Sequence, residues 1–200
     1  MMKILVVEDQ ALVRGAICSL LSLEDDVQIV GQAENGQVAL NMLADLEVDY
    51  ILTDIEMPIM SGLELAEIVH EKYSHINVMI MTTFSKSGYI KRAMALGVKA
   101  FVLKEAPTEY LVNAFTKVKN GERVIDPELA LMALDDNDPL SNKERKAIKL
   151  AGDGLKTEEI AQTLFLSKGT VRNYLSEAIS KLNATNRVDA ARIAKQKGWI

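Results

Sequence analysis

The 200-residue sequence predicts an α/β doubly wound, five-stranded parallel sheet followed by an all-α domain of four helices. In residues 1–120, five short β-branched runs alternate with stretches whose apolar residues recur three and four apart. No strand pattern follows residue 139. Residues 1–120 carry 16 acidic and 10 basic side chains, whereas residues 139–200 carry 12 basic and 6 acidic ones. We therefore predict domains at 1–120 and 139–200, joined by an acidic linker at 121–138.

The predicted strands are continuous apolar runs of four or five residues, which are typical of strands buried on both faces of a sheet. Each run is followed by a helical pattern, so the strands should be parallel with right-handed crossovers. The five runs are Ile4–Val7, Val27–Val30, Tyr50–Thr53, Val78–Thr82 and Ala100–Leu103.

The linker contains Gly121, the acidic run Asp135-Asp136-Asn137-Asp138 and a closing Pro139, and it leaves room for a short helix at Pro127–Leu134. Beyond it only helical patterns remain. Gly154 should end the first of them, and Ser167 should cap the third. The four predicted helices are Asn142–Asp153, Thr157–Leu164, Lys168–Leu182 and Val188–Gln196.

Composition excludes several classes of protein. The single cysteine, Cys18, excludes an internal disulfide and a thiolate-rich zinc site. Every apolar run is shorter than the ~18–20 residues that a membrane span needs. Glu8 and Asp9 interrupt the first apolar run too early for a signal peptide. The sequence therefore predicts a cytoplasmic protein without membrane insertion.

Polar side chains end four of the predicted strands. Glu8 and Asp9 follow the first strand, Asp54 the third, Thr82 ends the fourth, and Lys104 follows the fifth. Because ligands bind beyond the carboxyl ends of such strands, these groups should meet at one edge. Carboxylates this close need a cation, and Mg2+ suits them. Asp54 could then act as a nucleophile toward a phosphoryl group, with Lys104 and Thr82 contacting its oxygens. The alternative is a purely structural pair between Asp54 and Lys104.

The basic C-terminal part contains a short helix, a tight turn and a second helix that begins at Lys168, which is the geometry of a helix-turn-helix. Arg172 could donate two hydrogen bonds to guanine, and Asn173 could read adenine. Lysine and threonine side chains would contact phosphates. The alternative is a helical bundle used for protein contact. The residues predicted to face DNA are Lys168, Thr170, Arg172, Asn173, Ser176 and Lys181.

Residues 1–120 resemble a response-regulator receiver domain, whose fold is flavodoxin-like. The matching residues are Glu8, Asp9, Asp54, Met57, Pro58, Gly62, Thr82 and Lys104. The resemblance implies that Asp54 accepts a phosphoryl group from a sensor histidine kinase, that the Thr82 hydroxyl turns toward it, and that Phe101 repacks as the switch. It also implies an Mg2+ ion held by Glu8, Asp9, Asp54 and the backbone carbonyl of Glu56.

Residues 139–200 resemble the LuxR-type helix-turn-helix of the NarL/FixJ class. The matching residues are Leu140, Ser141, Glu144, Gly154, Glu159, Ile160, Ala161, Leu164, Ser167, Thr170, Val171, Arg172, Lys181, Leu182, Arg187 and Ala190. Within that class, four segments resemble Gram-positive regulators that respond to membrane-lipid or envelope stress. These segments are Thr82-Thr83-Phe84, Gly88-Tyr89, residues 169–174 and Lys197-Gly198-Trp199.

Taken together, these patterns predict a phosphorylation-activated transcriptional regulator and not an enzyme. Phosphorylation of Asp54 would drive formation of a homodimer, whose paired tails bind two half-sites of promoter DNA. The candidate dimer surfaces are the first helix, around Val13 and Ile17, and the fifth, around Leu111 and Phe115. One rival is an Mg2+-dependent phosphatase with Asp54 as its nucleophile. The other is a pseudo-receiver that acts without phosphate.

Overall fold

The computed structural model describes residues 1–83, 86–134 and 137–200. Three residues used in the predictions, Phe84, Asp135 and Asp136, lie outside this described part. The chain divides into two compact units, and the boundary between their main segments follows Leu131.

The first unit contains a parallel sheet with helices between its strands, which confirms the predicted fold class. The strands are β1 (Met2–Val7), β2 (Val27–Ala33), β3 (Tyr50–Thr53), β4 (Asn77–Thr82), β5 (Ala100–Leu103) and β6 (Val124–Ile125). The helices between and after them are α1 (Ala11–Leu21), α2 (Gly36–Met42), α3 (Gly62–Lys72), α4 (Ser87–Ala95), α5 (Thr108–Lys119) and α6 (Pro127–Leu134). The strand order is β2-β1-β3-β4-β5-β6, so it reverses direction between β1 and β3.

Local sequence signals explain where these helices begin and what they bury. The Asn35 side chain accepts a hydrogen bond from the first turn of α2 and caps it. Ser61 and Glu64 form a capping box at the start of α3. On one face of the sheet, Tyr50 of β3 packs edge-on against Phe115 of α5, with their ring centroids 5.7 Å apart. The contact of Tyr50 with Phe115 packs α5 against the amino end of β3.

The sheet has one strand more than the five predicted. β6 pairs with β5, matching Ala100 to Val124 and Phe101 to Ile125, inside the segment interpreted as a linker. A strand of two residues is too short to show any periodicity in the sequence. It forms because β5 offers an open edge, and the pairing also buries Val124.

The main segment of the second unit contains four complete helices, as predicted. They are α7 (Asn142–Gly152), α8 (Thr157–Thr163), α9 (Lys168–Lys181) and α10 (Arg187–Lys197). Ser141, Ser167 and Asn186 each cap the helix that follows. The most deeply buried side chains of the core are small or β-branched, which lets the short helices pack closely. Its fully buried members include Ala147, Ile148, Ile160, Val171, Ala178, Ala190 and Ala194.

The helices of the described ranges are all too short or too polar to cross a lipid bilayer.

Candidate functional site: an acidic cluster and a helix-turn-helix

The acidic cluster lies at the point where the strand order reverses. Glu8 and Asp9 follow β1, and Asp54 follows the neighbouring strand β3. One carboxylate oxygen from each of the three residues lies within 4.8 Å of the others. Glu8 is buried, Asp54 is largely buried, and Asp9 is exposed to solvent. The structure therefore brings together the three carboxylates that the sequence predicted to meet.

Lys104 extends from the end of β5 into this cluster. Its Nζ atom lies 2.6 Å from Oε2 of Glu8 and 3.1 Å from Oδ2 of Asp54. The backbone N–H of Lys104 donates to the carbonyl of Thr82 over 2.7 Å, which ties the ends of β4 and β5 together. One ammonium group therefore contacts two carboxylates, with a third beside them.

Burial dominates the electrostatics of the cluster. It raises the pKa of Asp54 and of Glu8, and in each case the nearby Lys104 opposes the rise without cancelling it. For Lys104 itself, burial alone would lower the pKa, but the two carboxylates outweigh it and leave the pKa raised. The ammonium stays charged, whereas the carboxylates hold more negative charge than their surroundings stabilise.

The backbone around Asp54 is held by several hydrogen bonds. The Asp54 Oδ1 atom accepts from the N–H of Ile55 at 2.7 Å, and the Asp54 carbonyl accepts from the Thr53 hydroxyl at 2.9 Å. Gly62 lies against this carbonyl so closely that an added Cβ would be 1.9 Å from the oxygen. Only glycine fits there, which explains why a glycine follows Asp54 at this spacing.

The other predicted site residues of the receiver lie on the strands and loop around the cluster. Thr82 ends β4 and is buried, and Phe101 of β5 is buried in the core. Phe101 pairs with Ile80 in the register of β4 and β5. Glu56 lies in the loop after β3 with its side chain exposed. The roles of Thr82 and Phe101 in a switch, and of the Glu56 carbonyl as an Mg2+ ligand, stay predictions.

The helix-turn-helix of the second unit is formed by α8, a short turn and α9. Arg172, Asn173 and Ser176 are exposed on α9. Thr170 is half-buried, and its N–H donates to the capping hydroxyl of Ser167 at 3.0 Å. Lys168 is exposed and forms a 3.0 Å ion pair with the equally exposed Glu158. Such a pair contributes little to stability, so this ammonium can exchange partners at small cost.

Lys181 is exposed at the end of α9 and also binds a carboxylate of another helix. Its Nζ atom donates to both carboxylate oxygens of Glu144, at 2.8 and 2.9 Å, and so links α9 to the start of α7. Glu144 is buried, so the loss of its ammonium partner would leave a poorly solvated charge. Lys181 is therefore a link within the helical unit, and its contact with a phosphate stays a prediction.

Glu144 has two structural roles that the sequence analysis did not assign to it. The Ser-x-x-Glu spacing indicates a capping box, and the structure contains it, with the Ser141 N–H donating to Glu144 over 2.7 Å. A second partner 37 residues away leaves no local signal. The positive charge of Lys181 at the end of α9 is the one feature of the sequence that is compatible with this ion pair.

Comparisons with known proteins agree with this geometry. Residues 4–116 match the family described as response regulator receiver domain, and residues 138–194 match the family described as bacterial regulatory proteins, luxR family. Two relatives from Bacillus subtilis align over 200 residues and cover 100% of both chains. They are the uncharacterized transcriptional regulatory protein YvfU, 44% identical, and the transcriptional regulatory protein DesR, 42% identical.

Solved structures show the same architecture. RcsB from Salmonella enterica serovar Typhimurium, bound to promoter rprA in the presence of the phosphomimetic BeF3−, has a TM-score of 0.69 at 22% identity. That alignment covers 97% of this chain and 98% of RcsB, and it supports the fold alone. The response regulator ChrA of a heme-sensing two-component system has a TM-score of 0.56 at 28% identity, covering 100% of this chain and 98% of its own. The chain therefore belongs to the response regulators that join a receiver domain to a LuxR-type DNA-binding domain.

Proposed function

We propose that this response regulator is switched by phosphorylation of Asp54 and then binds promoter DNA as a dimer. The observation that carries the proposal is the contact of Lys104 with both Glu8 and Asp54 beside a third carboxylate. A structural ion pair needs only one carboxylate, whereas here one ammonium contacts two and burial raises the pKa of Asp54 despite the lowering effect of Lys104. We assign the receiver to residues 1–120, the joint to 121–138 and the DNA-binding domain to 139–200.

In the chemical step, an oxygen of the Asp54 carboxylate attacks the phosphorus of a phosphohistidine on the sensor kinase. A P–O bond forms, the P–N bond breaks, and the imidazole leaves with its electron pair and takes up a proton. The Lys104 ammonium, already 3.1 Å from Asp54, pairs with a phosphoryl oxygen, and the Thr82 hydroxyl bonds another. Phe101 then repacks, and this change favours the dimer.

The carboxylates fit a hard divalent cation because all three offer oxygen ligands and their summed charge exceeds that of one lysine. Glu8, Asp9, Asp54 and the backbone carbonyl of Glu56 would hold Mg2+, which neutralises charge on the transferring phosphoryl group when it is bound. The chain acts as a regulator and not as an enzyme on external substrates, in line with the names of its relatives.

The DNA-binding part of the proposal uses the exposed side of α9. Arg172 and Asn173 read base edges, and Lys168, Thr170 and Ser176 contact phosphates or sugars. Two such domains in a dimer bind two half-sites, and the second contact gains from a high effective concentration. Because its ligand is promoter DNA in a bacterial cell, we place the protein in the cytoplasm.

The test is intact mass of the full chain after incubation with Mg2+ and acetyl phosphate. We expect the wild type to gain one phosphoryl group and Asp54→Asn to gain none. Asp45→Asn, which alters an exposed carboxylate after α2, should gain one like the wild type. A phosphoryl group on Asp54→Asn would overturn the assignment of the acceptor.

A second measurement separates the switch from the chemistry. Beryllofluoride, which mimics the aspartyl phosphate, should convert the wild type from monomer to dimer in sedimentation and increase its affinity for DNA. If the wild type is phosphorylated but stays monomeric and binds DNA unchanged, the switch fails while Asp54 remains the acceptor.

A further inference from the structure

All four helices of the second unit end in the same way. One residue at the end of each helix has a positive φ angle, and the N–H of the residue after it turns back to a carbonyl five residues earlier, which is a Schellman motif. At this left-handed position glycine is favoured, and asparagine is tolerated, because other side chains clash with the backbone. The four residues there are Gly154, Phe165, Asn183 and Gly198, with φ angles of 91, 55, 49 and 73°.

Phe165 is therefore the exception among four equivalent positions. Its N–H donates to Gln162 at 3.2 Å, and the N–H of Leu166 donates to Ala161 at 2.9 Å. Leu164 and Leu166 both pack against the helical core on either side of it. The turn between α8 and α9 thus needs a left-handed residue at 165, and the packing of its neighbours prevents the backbone from relaxing.

The phenylalanine side chain is not buried within the domain, so burial does not offset the unfavourable backbone conformation. It is 94% exposed, the highest value among the exposed large apolar side chains of the described residues. Burial of a phenylalanine normally stabilises a fold, and this one stays in water. A residue that is unfavourable both in backbone conformation and in exposure is typical of a position retained for binding.

The place of Phe165 in the fold indicates what it binds. It stands two residues before Ser167, the cap of the proposed recognition helix, whose first turn carries Lys168 and Thr170. Building on the proposed function, we propose that Phe165 packs on an apolar surface of the DNA duplex where α9 enters the major groove. That surface is a thymine methyl group or the carbon atoms of a deoxyribose.

Charge favours DNA over an apolar protein partner at this edge. The exposed cations Lys168 and Arg172 follow Phe165 closely in the sequence, and they would be desolvated against an apolar protein surface. A duplex presents phosphates for these cations beside methyl and sugar carbons for the ring. Phe165 is then a sequence-tolerant anchor if it meets sugars, and a specificity residue if it meets thymine.

The experiment uses the full chain with beryllofluoride and the duplex that the wild type selects from a random-sequence library. Phe165→Asn should bind this duplex about tenfold more weakly, as expected for a lost apolar contact of roughly half a buried side chain. Phe165→Tyr, which keeps the ring, should bind within about twofold of the wild type. The salt dependence should not change for Phe165→Asn, whereas Lys168→Ala should reduce it by about one phosphate contact.

Thermal stability distinguishes a role in DNA binding from a purely structural role. If Phe165 were only structural, its replacement would lower the thermal midpoint and the affinity for DNA together. Trp199 is the one tryptophan of the chain and is buried in the helical core, so its fluorescence follows the unfolding of this domain within the full chain. Because asparagine relieves the left-handed strain, Phe165→Asn should raise the thermal midpoint by about 4 °C. The variant would thus be more stable and bind DNA less well.

The outcomes distinguish this inference from the function on which it rests. If the wild type selects no duplex, both fail. If the wild type selects a duplex and Phe165→Asn binds it equally well, the contact with DNA is refuted while the proposed function stands. If Phe165→Asn binds the duplex more weakly, replacing its thymines by uracil identifies the surface. Weaker binding of the wild type, but not of Phe165→Asn, to the uracil duplex assigns the thymine methyl. Unchanged binding of the wild type assigns the deoxyribose.

Discussion

Each unit of this protein contains a lysine in contact with a buried carboxylate, and the two contacts have opposite electrostatics. In the receiver, Lys104 lies 2.6 Å from Glu8 and 3.1 Å from Asp54. In the helical unit, Lys181 lies 2.8 and 2.9 Å from the two oxygens of Glu144. The distances are alike, but the pKa of Asp54 is raised and that of Glu144 is lowered.

The difference comes from the number of partners on each side. Burial raises the pKa of all these carboxyls, and for Glu144 the ammonium of Lys181 and the N–H and hydroxyl of Ser141 more than compensate. In the receiver one ammonium serves two carboxylates, and the charge of Asp9 raises the pKa of Asp54 further. A balanced pair stabilises the fold, whereas an unbalanced cluster stores negative charge that a cation can neutralise.

The largest change in stability among variants of these two contacts should come from Lys104→Met. Its loss leaves buried carboxylates uncompensated, so we expect the free energy of unfolding of the receiver to fall by about 3 kcal/mol without divalent cations. Hydrogen exchange of the β3 amides measures it. Adding Mg2+ should recover more stability in this variant than in the wild type. A loss that Mg2+ leaves unchanged would argue against a cation site.

A smaller loss should follow Glu144→Gln, about 1.5 kcal/mol in the helical unit, because the partner Lys181 is 36% exposed and partly screened. The pKa of Glu144 is lowered in the folded state, so its contribution is present above the unfolded value of 4.5 and is lost as the pH falls through the folded value. Trp199 fluorescence during urea unfolding should show this decline in acid for the wild type and a flatter curve for the variant. Mg2+ should affect neither, and a response to Mg2+ would contradict the distinction between the two contacts.

The smallest effect should have the opposite sign. The pKa of Asp54 is raised in the folded state, so its protonated form stabilises the fold below the unfolded value of 3.8, and this stability is lost as the pH rises through the folded value. Asp54→Asn stays neutral, and we expect it to be slightly more stable than the wild type at pH 7 without Mg2+, because burial no longer opposes a charge at this position. The difference in stability is measured by hydrogen exchange of the β3 amides as a function of urea concentration. The gain should vanish at pH 3, and a destabilised variant at pH 7 would show that the Lys104 contact outweighs burial.

The receiver cluster was predictable from the sequence to a large extent. Parallel strands present their carboxyl ends at one edge, so the polar residues after each strand pattern had to meet there. This argument places Asp54, Asp9 and Lys104 correctly without knowledge of the strand order. It does not say that Lys104 contacts Glu8 more closely than Asp54, because that depends on side-chain packing at the switch point between β1 and β3.

The helical unit was less predictable in its contacts than in its elements. Exposed positions on α9 follow from the helical period, and this places Arg172 and Asn173 on the outer face. Lys181 shares that polar character, yet its partner is Glu144, and the pairing exists only because α7 packs against α9. Helical periodicity cannot distinguish a solvated lysine from one that a distant carboxylate binds.

By itself, then, the sequence determined the two-part organisation, the alternation of strands and helices, the caps and the residues available for chemistry, because these depend on neighbours within a few positions. The tertiary structure alone decided the sixth strand at the edge of β5, the partner of Lys181 and the left-handed conformation of Phe165. The first two depend on elements far apart in the chain, an open sheet edge and a helix whose partner residue is 37 positions away, and the third depends on two neighbouring leucines that are held in the core. Tertiary packing stabilises these features, and local sequence patterns therefore do not predict them.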